Sequence, residues 1–589
     1  MVVESIFIRK ITQGDLWNIE RRNGQGPTTG GGQTYLDIPL GQIPLEKLFK
    51  FLNIENTEEN IATPPSKNIN IRTIGNATQE SIINFSYRVG NNRYKISNQN
   101  RHKEASQRPH CWTEANHFPT LPDTITSKED IPDELFSNLK IFIVKTLDGN
   151  YFGGFFNQDA LPDSWSRIKI LEEIFNSHNS ANLFELNTID KELVNILNAW
   201  STKPNILLYG PPGTGKTYLM NKAWEILSKN DELKTLSLNP NNRENPFEPY
   251  LKLPFKKPTK IKWITFHQNY SYEDFILALI PDSNSATLKL KARAGSLLDS
   301  AIQIDEKIIE DNDLEKFNSA VIFIDEINRG NVSRIFGEFI TFMDMEYRQG
   351  SKNNPLPVPI NNISIDESLK TESILLSNGK NIKIQLPWYM PKDIYIIASM
   401  NSVDKAVAPL DSALERRFNK ISIMPNINLL AHILNTNTIE EIILQKEVKP
   451  NFEPNASEVA VSLLYRVNYI FSSFFGKDNE LGQSNFYTIA NYSQEEDKFL
   501  EIVKIWEQFV FPQIQEKFMG RTDEIFNILR LDKEDEIPTD FVYKFKKTPL
   551  NTDLEEQRTF NQLEDISLLN TWKTNSESVK NTLKYIAGF

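Results

Sequence analysis

Residues 206–217 read Ile206-Leu207-Leu208-Tyr209-Gly210-Pro211-Pro212-Gly213-Thr214-Gly215-Lys216-Thr217, and the helix-compatible run Tyr218–Leu227 follows directly. The apolar residues fit a buried strand. The glycines permit a tight turn whose backbone N–H groups face phosphate oxygens, and the N-terminus of the following helix adds positive potential. Lys216 is placed to neutralise the β- and γ-phosphates of a nucleotide and Thr217 to ligate Mg2+ through its hydroxyl. Gly210, Pro211, Pro212, Gly213, Thr214, Gly215 and Tyr218 complete the expected nucleotide-binding set. The order strand, glycine loop, helix is the context this motif requires.

Working outward, Val321-Ile322-Phe323-Ile324 ends in Asp325-Glu326, about 100 residues after the loop. A buried strand tipped by two carboxylates supplies Asp325 for the Mg2+ shell and Glu326 to polarise an attacking water. A third apolar run, Ile394–Met400, ends at Asn401, whose amide can bond that water or a γ-phosphate. Ten residues on, Asp411–Leu414 precedes Glu415-Arg416-Arg417-Phe418. Arg416 and Arg417 are candidates to stabilise transition-state charge on a neighbouring subunit. Ile261–Phe266, Ala320–Ile324 and Ile394–Ser399 suit parallel strands covered on both faces. The predicted fold is therefore multidomain α/β: a parallel sheet sandwiched by helices, followed by a mostly helical lid with helical spacing over Ala456–Phe475 and Phe499–Phe518.

The chain has 589 residues, and at about 150 residues per domain it divides into three or four. The expected divisions are 1–165, a strand-rich α+β N-terminal domain for target recognition; 166–200, a helical connector; 201–425, the α/β nucleotide-binding domain; and 426–589, the lid and C-terminal segment. One cysteine excludes an internal disulfide and fits a reducing compartment. No apolar run reaches the ~18 residues of a membrane span and the N-terminus lacks a signal-peptide pattern, so a cytoplasmic protein is expected.

Net charge is −12, which argues against a general nucleic-acid coat, yet residues 1–110 carry 14 Lys and Arg against 10 Asp and Glu. Within them Trp17, Arg21, Arg22 and Tyr35 flank the glycine-rich run Gly24–Gln33, and Arg88, Arg93 and Arg101 belong to a second basic run. Aromatic stacking on a base combined with arginine contacts to phosphate makes these the candidate DNA-binding residues; a solvated basic face is the plainer reading. His102, His110, Cys111 and His117 cluster without a metal-ligand spacing and read as structural or nucleic-acid-facing. Asn56–Asn70 reads as a connector. Leu139–Lys145 and Tyr151–Phe156 read as a β-hairpin with Asp148-Gly149 in a type I′ turn. Gln349–Leu386, rich in Asn, Pro and Ser, reads as a long loop.

Gly210–Thr217, Asp325–Glu326, Asn401 and Arg416/Arg417, in that order, resemble an AAA+ NTPase. Three stretches narrow the resemblance to the McrB-like motors of modification-dependent restriction systems: Phe266-His267-Gln268-Asn269-Tyr270-Ser271-Tyr272-Glu273-Asp274-Phe275, Asp325–Glu338, and Met400-Asn401-Ser402-Val403-Asp404-Lys405. The resemblance spans roughly residues 180–530. It implies a GTPase (or ATPase), Mg2+, a homo-oligomeric ring such as a hexamer with nucleotide between subunits, an McrC-like nuclease partner, and DNA as target. Asp404 sits in a segment the family associates with guanine, here altered at three of six positions from Met-Asn-Thr-Ala-Asp-Arg. The family's Ile-Gly-His-Ser-Tyr lid segment corresponds on this reading to Phe486–Tyr492, with Asn491 near the histidine. A MoxR-like AAA+ remodeller of protein clients is the alternative.

Overall fold

The computed structural model describes the chain except residues 21–34, 40–41, 89–92, 99–118, 120, 123, 162, 167, 178, 187–188, 230–234, 243, 255–256, 283–289, 306–316, 353–354, 359–370, 404–409, 450–451, 532–535, 551–557 and 565. It forms two compact units, Met1–Asn198 with Asp231–Leu253, and Ala199–Asn230 with Pro254–Phe589.

The first unit is built on an eight-stranded sheet. In spatial order its strands are Tyr35–Pro39, Arg93–Asn98, Asn76–Arg88, Lys67–Thr73, Tyr151–Asn157, Leu139–Thr146, Val3–Lys10 and Ala181–Glu185. Only Lys67–Thr73 and Tyr151–Asn157 run parallel. Val3–Lys10 shows why both faces are covered. Phe7 points into one core beside Phe49, Phe51 and Phe85, while Ile6 and Ile8 enter a second core with Phe142, Phe156, Trp165 and Phe175. Alternation with period two places apolar side chains on both sides of one strand, so each face needs a cover. The helix Leu45–Leu52 lies over the first core. Lys169–Phe175 and the hairpin of Leu236–Leu238 with Phe247–Pro249 cover the second.

Several expectations change here. Residues 166–200 are not a helical connector: Ala181–Glu185 pairs with Val3–Lys10 and completes the sheet. The second unit does not hold all of 201–425, because Leu236, Leu238 and Phe247 pack among the aromatics of the first. Asn56–Asn70 holds the helix Glu58–Ala62 and the start of a strand. The Leu139–Asn157 hairpin forms as expected, but its turn is different. Gly149 alone has positive φ (79°) and donates to the Thr146 carbonyl, so a type I turn is followed by a left-handed glycine.

In the second unit five parallel strands stand in the order Thr259–Thr265, Ser319–Asp325, Ile394–Asn401, Asn205–Gly210, Asn419–Ser422. The three inner strands are buried on both faces as expected, whereas the edge strands are not: in Thr259–Thr265 only Ile264 is buried, and in Asn419–Ser422 no residue is. Leu277–Pro281, Leu290–Ala294, Thr371–Leu375 and Asn381–Gln385 form a separate four-stranded sheet. The last part of Gln349–Leu386 is therefore not loop: the hairpin of Thr371–Leu375 with Asn381–Gln385 joins Leu290–Ala294 through Ala292 and Arg293. Beyond residue 426 the described chain is mostly helical, with Ala456–Phe475 as its longest helix and one hairpin of Phe545–Leu550 with Arg558–Leu563. The second long helical stretch is interrupted: a π-turn at Trp506–Val510 separates Glu495–Ile505 from Phe511–Lys517. Pro512 lacks the N–H an α-helix needs there, which accounts for the wider turn. Among the described residues no helix is long and apolar enough to cross a membrane.

Candidate nucleotide site

Asn205–Gly210 delivers the phosphate loop and Lys216–Ser228 receives it. Gly210, Gly213 and Gly215 have φ of 153°, 77° and 99°, a path a Cβ would oppose. At Gly210 a Cβ would fall 2.2 Å from the Ile423 carbonyl oxygen, so space as well as conformation excludes other residues. Thr214 Oγ1 donates to the Pro211 carbonyl at 3.0 Å and braces the turn.

Lys216 is buried, and its Nζ donates to the Gly210 and Pro211 carbonyls at 2.9 and 2.7 Å. Burial pulls its pKa from 10.5 to about 8, against the opposing pull of Glu326 and Asp325. A buried ammonium held only by carbonyl oxygens is suited to an anion such as a phosphate. Thr217 Oγ1 lies 3.4 Å from Asp325 Oδ1. A hydroxyl and a carboxylate this close are oxygen donors of the kind a Mg2+ ion takes. Tyr218 is exposed at the start of the helix.

Glu326 has φ of 54°, a left-handed conformation uncommon for a residue with a Cβ and typical of functional turns. Asn401 Nδ2 reaches both its carboxylate oxygens, at 2.8 and 3.0 Å, and Arg329 Nε approaches one at 3.4 Å. The residue that organises the pair is Ser399, which no motif singles out. Its Oγ donates to Asp325 Oδ1 at 2.5 Å and accepts from the Glu326 N–H at 2.9 Å. The strand carrying Ser399 and Asn401 is inserted between the carboxylate strand and the phosphate-loop strand, so one strand touches both. Its start is anchored by the fully buried Arg348, whose guanidinium donates to the carbonyls of Phe342, Met343, Lys392 and Ile394.

The helical region also reaches the loop, through Gly482 to Asn485 rather than through Phe486–Tyr492. Ser484 N–H donates to the Gly213 carbonyl, and a Cβ on Gly482 would lie 2.1 Å from Gly213 C. Asn491 is exposed at the other end of the 3₁₀ segment.

The arginine pair separates into two roles. Arg417 is held within its own chain, Nε 3.0 Å from Asp344 Oδ2 and Nη1 2.6 Å from the Ala413 carbonyl, with a side chain only 9% exposed. Arg416 is exposed; its carbonyl accepts from Lys203 Nζ at 2.8 Å, while its guanidinium has no hydrogen bond or ion pair among the described residues. Asp404 lies outside the described residues.

The two distinctive sequence stretches interlock. Phe266 stacks on Tyr270 and meets Phe275 and Phe336 edge-on. Tyr272 hydroxyl donates to Glu338 at 2.6 Å, and its ring lies against Gly337, which has φ of 52°. The segment following Thr259–Thr265 is thus locked to the one following Asp325–Glu326.

In the first unit the DNA-binding candidates are only partly assembled. Trp17 packs against the Phe7 core, and Arg88 and Arg93 face each other across adjacent strands. Tyr35 heads an outer strand, in register with Ser97. Arg21, Arg22, Arg101 and the His102–His117 cluster lie outside the described residues. Among the described residues no group of three His, Cys, Asp or Glu could hold a metal ion.

The strand order, the phosphate loop and the paired carboxylates define an AAA+ nucleotide-binding protein, and the family model for the AAA domain of the dynein-related subfamily matches residues 254–418. Two curated relatives come from restriction systems. The McrB subunit of the type IV methyl-directed restriction enzyme EcoKMcrB of Escherichia coli is 27% identical over 291 residues, 49% of each chain. The YdiS component of the Bacillus subtilis type II restriction enzyme BsuMI is 25% identical over 222 residues, 36% of this chain and 55% of that one. The chain thus carries an AAA domain and is similar to McrB and to a second restriction-system subunit. It spans about half the length of the curated relatives it matches. A solved structure of a candidate ATPase from Cytophaga hutchinsonii is 14% identical over 54% of this chain and 74% of that one, with a TM-score of 0.18.

Proposed function

We propose that the chain is the nucleotide-hydrolysing motor of a DNA restriction or defence complex, turning over GTP or ATP with Mg2+ at interfaces between ring subunits. The observation that carries the reading is the convergence of Lys216, Thr217, Asp325, Glu326 and Asn401 at the ends of three adjacent strands. Lys216 and the loop N–H groups bind phosphate, and Thr217 with Asp325 would hold Mg2+, which would neutralise charge on the β- and γ-oxygens. Glu326, kept in place by Asn401 and Ser399, orients and polarises the attacking water. Arg416, whose guanidinium is exposed, is available to a neighbour's site.

Both named relatives belong to restriction systems, which favours DNA over a protein client and a nuclease on a separate subunit. The test is phosphate release from GTP and from ATP, with and without DNA and the product of the adjacent gene. DNA- or partner-stimulated turnover is expected; turnover stimulated only by a protein client would support the remodelling alternative.

A further inference from the structure

Gln483 is 1% exposed, and both ends of its carboxamide are engaged. Nε2 donates to the Thr214 carbonyl at 3.1 Å, and Oε1 accepts from the Asn426 backbone N–H at 3.2 Å. The side chain also hydrogen-bonds Tyr487. Donor meets acceptor at one end and acceptor meets donor at the other, so the amide has a single workable orientation. Turning it over would face NH2 with N–H and oxygen with oxygen.

The two partners belong to different parts of the unit. Thr214 lies in the phosphate loop. Asn426 caps Ile427–Ile433, the first helix beyond the parallel sheet, with its Oδ1 accepting from Leu429 N–H at 2.9 Å. Beside this bridge, Ser484 N–H holds the Gly213 carbonyl at 3.1 Å, and Gly482 lies too close to Gly213 for any side chain. Two successive loop carbonyls are thus held from the helical region, and one of the two holders is itself bonded to the N-cap of that region's first helix.

We propose that Gln483 is a positioning residue that couples the phosphate loop to the helical region, passing a displacement of the Thr214 carbonyl to the first turn of Ile427–Ile433. The coupling rests on the loop being the triphosphate site. Its direction is set by chemistry: the carboxamide is planar, short and buried, and the Thr214 carbonyl can only accept while the Asn426 N–H can only donate.

The test is amide hydrogen exchange of the full chain with Mg2+ and either GTPγS or ATPγS, for the wild type, Gln483→Glu and Gln483→Met, after thermal melts establish that each is folded. In the wild type, nucleotide should protect both 210–217 and 427–433. Gln483→Glu keeps the acceptor for Asn426 but sets an oxygen against the Thr214 carbonyl. Gln483→Met keeps the length and removes both bonds. In each, protection should persist over 210–217 and be lost over 427–433, with nucleotide bound roughly tenfold more weakly. A residue that merely stabilised the fold would lower the melting temperature and leave the helix response intact. Undiminished protection of 427–433 in either folded variant overturns the coupling. So does wild-type protection of 210–217 with none at 427–433, a result that needs no variant. No protection of 210–217 in the wild type overturns the nucleotide reading instead.

Discussion

Lys216 makes nucleotide affinity depend on pH in a way that can be worked out from its surroundings. Burial lowers its pKa from 10.5 to about 8, while Glu326 and Asp325 pull the other way. That shift corresponds to about 3 kcal/mol of penalty for keeping the ammonium charged in the free protein at neutral pH. The unfolded lysine holds its proton up to pH 10.5, so the unfolded state binds more protons between 8 and 10.5. The free chain therefore gains stability as pH rises through that window.

Phosphate binding runs in the opposite sense, because only the charged form attracts the anion. The apparent affinity scales with the protonated fraction, about nine-tenths at pH 7 and about one-tenth at pH 9. Titration of a triphosphate analogue at pH 7, 8 and 9 should thus show roughly tenfold weakening across the range. Lys216→Arg keeps a cation that does not titrate there and should flatten the curve, which also separates the protein's titration from that of the base. Equal pH dependence in wild type and Lys216→Arg would refute the reasoning.

Three further outcomes are expected. Glu326→Gln should bind nucleotide normally and lose ~100-fold or more in turnover, since its carboxylate is the group placed to polarise water; single-turnover phosphate release checks it. Ser399→Ala should leave the fold intact but raise the Mg2+ concentration needed for half-maximal turnover by ~10-fold or more, because Asp325 and the Glu326 backbone lose a shared anchor. Arg417→Ala should cost on the order of 1–2 kcal/mol in denaturant unfolding by removing a buried guanidinium and its bonds to Asp344 and the Ala413 carbonyl, while Arg416→Ala should leave stability unchanged, suppress hydrolysis by the pure variant, and in mixtures suppress it at the wild-type site it adjoins. Equal stability losses in the two arginine variants would remove that distinction.

The parts legible in the sequence are those encoded locally. The phosphate loop needs glycines at fixed offsets before Lys216. The carboxylate strand is a continuous apolar run ending in Asp325-Glu326, and Ala456–Phe475 shows helical spacing along its whole length. What escaped depends on partners far along the chain. Ser399 is one polar residue at the end of a buried strand, and its importance exists only once Ser319–Asp325 lies alongside. Gln483 finds Thr214 across 269 residues. Ala181–Glu185 reads as a short apolar stretch among helices, yet its partner strand starts at Val3. Leu236, Leu238 and Phe247 sit between segments of the second unit in sequence and pack with Phe142 and Trp165 in the first. Residues 1–165 are consequently not a separable piece. A cut there would strip the sheet from the Ala181–Glu185 strand and the Phe247 hairpin, leaving their apolar faces uncovered.

The most direct measurement of the central claim is equilibrium binding of labelled GTP and ATP, with Mg2+, to the purified chain and to Lys216→Ala. Saturable binding of at least one triphosphate by the wild type, abolished in the variant, is the expected result. No binding by the wild type, or the same isotherm for both proteins, would contradict it.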